Sequence, residues 1–147
     1  MERYLACILG SDSYLDAGFA CFNTKEEARQ YIVTELLRYE YDNSEIRYIS
    51  DNRIDADDGD RFDVGEIYKV YGDGDYVLVT WHAFAGVDFS IDSNAINLDA
   101  AKFELEEYKK YMENEMELEV EDGYSKYSIF ADTGEEWMMA QIVDLRR

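Results

Sequence analysis

Two apolar stretches separated by a polar turn open the chain. Arg3-Tyr4-Leu5-Ala6-Cys7-Ile8-Leu9 and Ala17-Gly18-Phe19-Ala20-Cys21-Phe22 read as strands, with a turn beginning at Gly10 between them. Pairing them as a hairpin brings Cys7 and Cys21 near one another. The period then lengthens. Thr24-Lys25-Glu26-Glu27 has the spacing of a capping box, in which the Thr24 hydroxyl accepts from the Glu27 amide and the Glu27 carboxylate reaches back to the Thr24 amide. Ala28, Ile32, Leu36 and Tyr39 recur at helical spacing and predict a helix over 24–41. Residues 46–49 predict a short strand. Residues 51–63, the most polar stretch, predict a surface loop.

Residues 64–71 and 75–82 predict two strands. Gly72-Asp73-Gly74 between them is the sharpest hairpin signal in the sequence. A further strand is expected at 87–91. Asn97 or Asp99 caps a second helix over 97–114, with Leu98, Ala101, Leu105, Tyr108 and Met112 along one face. From Glu115 the period shortens again: Met116, Leu118 and Val120 alternate with Glu115, Glu117, Glu119 and Glu121, a strand pattern with one acidic face. Asp122-Gly123 marks a turn. Residues 125–131 and 136–144 predict a closing hairpin around Asp132-Thr133-Gly134. No internal repeat or linker stands out, and the chain has no proline. The expected architecture is a single α+β domain over 1–147, a mainly antiparallel sheet with two helices packed on one face.

Charge changes the picture more than any motif. Against 14 Lys and Arg stand 34 Asp and Glu, a formal charge of −20, while 47% of the residues are apolar. The apolar share supports a folded core, and the imbalance promotes solubility at the expense of self-repulsion. Phosphates are repelled, so direct binding to nucleic acid or to an anionic membrane is not expected. No signal peptide or membrane span is apparent, which makes a cytoplasmic protein with reduced thiols the expectation. Cys7 and Cys21 read as small buried hydrophobes.

Catalytic motifs are absent. The glycine turns are flanked by aspartates, which suits no phosphate loop. His82 is the only imidazole, it follows Trp81 at the end of an apolar strand, and it reads as structural. Asp55-Ala56-Asp57-Asp58-Gly59-Asp60 supplies hard oxygen ligands, but with Asp55 at position 1 of a calcium loop, Gly59 falls where an oxygen belongs and Asp60 where the turn glycine belongs. No metal, no cofactor and no enzymatic activity are expected.

The acids are clustered. Residues 51–66 carry seven against two bases, and residues 97–122 ten against three, whereas residues 123–147 carry four against three. The candidate partner-binding residues are Asp55, Asp57, Asp58, Asp60 and Asp63 in the first cluster. In the second they are Glu104, Glu106, Glu107, Glu113 and Glu117, with Tyr108 and Tyr111 among them as contact residues. In size, charge, absence of catalytic motifs and helix-plus-strand build, the chain resembles the acidic DNA-mimic proteins that phages and mobile elements direct against restriction and CRISPR nucleases. The resemblance is one of class and carries over no individual residue. It implies an inhibitor that occupies the basic channel of a nucleic-acid-binding protein such as a bacterial defence nuclease. A small adaptor protein, acidic for solubility, and a divalent-metal module are the competing readings.

Overall fold

The strands pair antiparallel throughout, but they form two sheets and not one. The computed structural model describes residues 2–10, 13–83, 87–91 and 94–146, the side chains of 13–16 excepted. The chain builds two compact units, divided between Tyr71 and Gly72. The first contains β1 (Arg3–Gly10), β2 (Ser13–Phe22), α1 (Lys25–Arg38), β3 (Ile46–Ser50), β4 (Arg53–Asp57) and β5 (Phe62–Val70). The second contains β6 (Tyr76–Ala83), β7 (Val87–Ile91), α2 (Leu98–Asn114), β8 (Glu121–Asp122), β9 (Ser128–Asp132) and β10 (Trp137–Asp144). The expected α+β class with antiparallel pairing is what forms.

Each unit runs strand, strand, helix, strand, strand, strand. The sheet orders are β2-β1-β5-β4-β3 and β7-β6-β10-β9-β8, the same order once the elements are matched. The sequence repeats with the topology. Ile54-Asp55-Ala56-Asp57-Asp58-Gly59 is matched at one constant offset by Ile129-Phe130-Ala131-Asp132-Thr133-Gly134. At that offset Phe62 meets Trp137, Gly65 meets Ala140, Glu66 meets Gln141, Ile67 meets Ile142 and Val70 meets Leu145. The expectation of no internal repeat is therefore overturned: the chain is a tandem pair of ββαβββ units. Ile54, Ala56, Ile129 and Ala131 are the inward positions of their strands and are all buried. Of the outward ones Asp57 is kept as Asp132, but Arg53 becomes Ser128 and Asp55 becomes Phe130, which disguises the repeat.

In each unit one helix covers the sheet. Thr24 caps α1, accepting from the Glu27 amide at 3.1 Å. The other half of the expected capping box is replaced: Thr24 donates its hydroxyl proton to Glu27 Oε1 at 2.9 Å. Ala28, Ile32 and Leu36 are fully buried in a core with Ala6, Ile8, Ile54, Ala56 and Ile67. Burying a side chain such as Ile32 or Leu36 contributes roughly 1.5–3 kcal/mol. In the second unit Asn97 caps α2, accepting from the Ala100 amide at 2.8 Å. Ala101 and Met112 are buried, and Met112, Leu105 and Tyr108 join the core of Ile129, Ala131, Met138 and Ala140. The helices thus pack on separate sheets, where a single shared sheet was expected.

Three local expectations fail for nonlocal reasons. The hairpin over 64–82 does not form, because β5 is flanked by β1 and β4, and β6 by β7 and β10, leaving neither an edge for the other. Gly72 and Gly74 serve close approach instead. A Cβ on Gly74 would stand 2.4 Å from the Ile96 backbone, and one on Gly72, whose φ is +85°, 2.9 Å from the Ala95 carbonyl oxygen. The polar stretch 51–63 is mostly strand, since β4 and the start of β5 lie within it and only residues 58–61 connect them. The acidic strand expected from Glu115 is reduced to Glu121 and Asp122. Before it the chain leaves α2 through a wide turn, with Glu117 at φ +55° and the Leu118 amide donating to the Met112 carbonyl at 2.9 Å.

Candidate functional site

The acids of the first unit are held by their own neighbours. Asp55, half-buried on β4, is paired with Arg53 at 3.0 Å, and Arg53 also reaches Glu66 at 3.4 Å. Asp57 accepts from the Gly59 amide at 2.8 Å. Asp58 accepts from the Asp60 and Arg61 amides and from the Arg61 guanidinium at 3.0 Å. These bonds, first the backbone one from Arg61 and then its side chain, hold the Asp58 carboxyl below the usual aspartate range. Arg61 in turn stacks over the Tyr41 ring, 4.2 Å from its centroid, and donates to the Tyr39 carbonyl, tying this turn to the end of α1. Asp63 is buried at 8% exposure opposite Gly10, and its Oδ1 fills the space a side chain on Gly10 would need. Asp57, Asp58 and Asp60 are exposed, whereas Asp63 is accessible only after local opening.

In the second unit the candidates divide by helix face. Tyr108 packs into the core, and burial raises its phenol above the ordinary value. Glu104 is half-buried. Glu106, Glu107, Tyr111, Glu113 and Glu117 are exposed, and Glu107 is paired with Lys110 at 3.4 Å. The Tyr108 and Tyr111 rings lie with centroids 6.2 Å apart, so Tyr111 extends an aromatic ridge from the core to the surface.

The densest part of the acidic surface lies just beyond these residues. Glu113, Glu115, Glu117, Glu119, Glu121 and Asp122 are all exposed. No cation stands within ion-pair distance of any of them among the described residues. Leu118 and Val120 between them pack on the unit's core. The apolar residues anchor the segment, and its carboxylates face water. Glu115, Glu119, Glu121 and Asp122 were not among the candidates. The signal for them was present, because no basic residue occurs from Glu113 through Asp122.

The remaining polar groups offer little chemistry. His82 Nδ1 lies 3.0 Å from Glu136 Oε1, a surface pair at the end of β6. Cys7 is buried and Cys21 half-buried; both are free thiols, and burial raises each above the ordinary thiol value. No cluster of His, Cys, Asp and Glu among the described residues has the arrangement of a metal site. No helix among them is long and apolar enough to cross a membrane. Compared with known proteins, the chain matches no family model, no curated protein and no solved structure.

Proposed function

We propose that this protein binds a basic, nucleic-acid-binding protein and inhibits it by occupying the channel meant for a phosphate backbone. A bacterial defence nuclease is the kind of target such a surface suits. The observation that carries the reading is the run from Glu113 to Asp122, six exposed carboxylates without a cation partner among the described residues, on a segment pinned by Leu118 and Val120. Clustering like charges opposes folding, and a scattered surface serves solubility equally well. Lysine and arginine arrays that neutralise phosphates meet carboxylates with the same charge-assisted hydrogen bonds. Tyr111 supplies exposed aromatic area beside the run. The acids of the first unit, mostly engaged in its own turns, play the smaller part.

The test is capture from a bacterial lysate at low and high salt, followed by competition with duplex DNA. Replacing Glu117, Glu119 and Glu121 by lysine leaves the cores untouched. We expect that variant to lose the captured protein, and DNA to displace it from the parent. Unchanged capture by a folded triple variant, or a captured protein indifferent to DNA, refutes the reading.

A further inference from the structure

Three lysines line one cleft of the second unit. That unit has five cations: Lys102, Lys109, Lys110, Lys126 and Arg146. Lys110 is paired with Glu107 and Arg146 with Asp144. Lys102, Lys109 and Lys126 are in no ion pair among the described residues, although carboxylates surround them in the sequence. All three line a cavity of about 440 Å³ between α2 and the connection from β8 to β9. Its apolar wall is Leu105 and Ile129, and Tyr127 stands among the lysines.

Comparison of the two repeats shows what is special here. Arg29 follows the buried Ala28 on α1 as Lys102 follows the buried Ala101 on α2. Arg29 is spent on structure, donating to the Ser50 and Asp51 carbonyls at 3.0 and 2.8 Å and closing the short turn between β3 and β4. In the second unit the corresponding connection is longer, running from Gly123 to Tyr127, and Lys102 meets no such carbonyls. Lys102 Nζ lies 4.8 Å and Lys126 Nζ 5.0 Å from the Tyr127 ring centroid. Tyr127 itself is held at φ +61°, a left-handed conformation that disfavours a bulky side chain by about 1–2 kcal/mol. Strain of this kind, at a cavity, marks a place where function can outweigh stability. The neighbouring ammonium groups, Lys102 first and Lys126 less, hold the phenol below its ordinary value.

We propose that this cleft binds a small organic phosphate whose anionic head sits on Lys102, Lys109 and Lys126 and whose planar or apolar body rests on Leu105, Ile129 and the Tyr127 ring. The volume suits a small molecule. Glu106 and Asp122 also line the cleft; they accept hydrogen bonds from ligand hydroxyl or amino groups and repel a polyanion, so the ligand is a small molecule and not a nucleic acid. In the lining itself three lysines outnumber the two carboxylates, and the negative charge of the rest of the protein acts over distances that salt screens, about 10 Å at 0.1 M.

The test is a ¹H–¹⁵N correlation titration of the whole protein with adenosine monophosphate, inorganic phosphate and adenosine in turn. Saturable shifts confined to residues 102–109 and 122–129 are expected with the monophosphate at millimolar concentrations, with weaker responses to phosphate and to adenosine alone. The double variant Lys102→Ala with Lys126→Ala is expected to weaken the monophosphate by roughly tenfold or more, as loss of charge-assisted contacts requires. Lys110→Ala, outside the cleft, leaves it unchanged. Tyr127→Gly relieves the backbone, so it folds at least as well as the parent while binding more weakly. Absence of saturable shifts with the monophosphate overturns the proposal, as does equal binding by the double variant. Equal affinity for inorganic phosphate and the monophosphate overturns the organic body.

Discussion

The Asp57 carboxylate accepts the amide proton of Gly59 at 2.8 Å. The same bond at the same length joins Asp132 to Gly134 in the second unit. Around it the two turns agree group by group. Asp58 donates its amide to the Arg61 carbonyl as Thr133 does to that of Glu136. The Asp58 carboxylate accepts from the amides two and three residues on, and the Thr133 hydroxyl does the same. An acidic loop that reads as a binding surface is thus, in Asp57 and Asp58, the hydrogen-bond framework of a turn that occurs twice.

That equivalence predicts equal costs. Gly59 and Gly134 lie at φ +94° and +91°, and a Cβ added to either would have nothing within 4 Å, so an alanine meets only backbone strain. Gly59→Ala and Gly134→Ala are each expected to destabilise by about 1–2 kcal/mol. Urea unfolding of the two variants measures it. A cost in one turn and none in the other contradicts the equivalence.

Asp58 carries a pH signature. Its carboxyl is held below the usual range, first by the Arg61 amide and then by the Arg61 side chain. A depressed folded-state pKa stabilises above the unfolded-state value, and that stabilisation is lost as pH falls through the folded one. Asp58→Asn keeps a turn acceptor but not the charge. The melting temperature of the parent is expected to exceed that of Asp58→Asn at neutral pH. The gap should close in acid, below the ordinary aspartate range. Comparing the two at each pH cancels the general relief of repulsion as other acids protonate. A gap constant down to strong acid removes Asp58 from the account.

Much of this architecture was legible locally. Thr24 and Asn97 announce the two helices, and Ala28, Ile32, Leu36 and Ala101, Leu105, Met112 show which faces are buried. Strand partners were not legible, because partner choice is nonlocal. Gly72 and Gly74 signal a backbone that needs glycine, but whether for a hairpin or for passing close to Ile96 depends on a segment some twenty residues on. The repeat was masked because Ile54, Ala56 and Gly59 persist in the second unit while the outward Asp55 becomes Phe130. Of the candidate acids, Asp63 looked like its neighbours, and only the register opposite Gly10 buries it. The lysine cleft was invisible for a similar reason: Lys102 and Lys109 share a helix face, but Lys126 joins them only through the fold.

The end of α1 contains a correctable flaw. The Tyr41 amide donates to the Leu36 carbonyl at 3.3 Å and the Glu40 amide to that of Leu37 at 3.0 Å, the two bonds of a Schellman motif, with buried Tyr41 packed beyond. The left-handed residue of that motif is Glu40, at φ +70°, where glycine is the usual occupant. Glu40→Gly is expected to stabilise by about 0.5–1 kcal/mol, less than the full strain because glycine gains more freedom on unfolding. Glu40→Ala removes the same charge without the strain relief and should not stabilise to that extent. Thermal unfolding of both distinguishes backbone from charge, and equal stabilisation by the two assigns the effect to charge.

Gly65 and Ala140 occupy matching places on the central strands β5 and β10, and both are buried. Alanine at position 65 therefore looks harmless by analogy, yet the structure predicts otherwise. A Cβ on Gly65 would stand 2.6 Å from Ile32 Cγ2, 3.2 Å from Ile32 Cδ1 and 2.8 Å from the Ile54 carbonyl oxygen. The residue of α2 matching Ile32, one turn beyond the buried alanine, is Leu105, which has no branch at Cβ and so no Cγ2 methyl near the strand. Gly65→Ala should force α1 away from its sheet and destabilise by about 1–3 kcal/mol, the usual range for overpacking. Ile32→Leu removes the methyl that comes nearest, so Gly65→Ala with Ile32→Leu should recover part of the loss and not all, since the Ile54 carbonyl stays where it is. The double-mutant cycle, read by urea unfolding, decides the matter. Strict additivity of the two changes would mean that Ile32 does not set the spacing between α1 and β5.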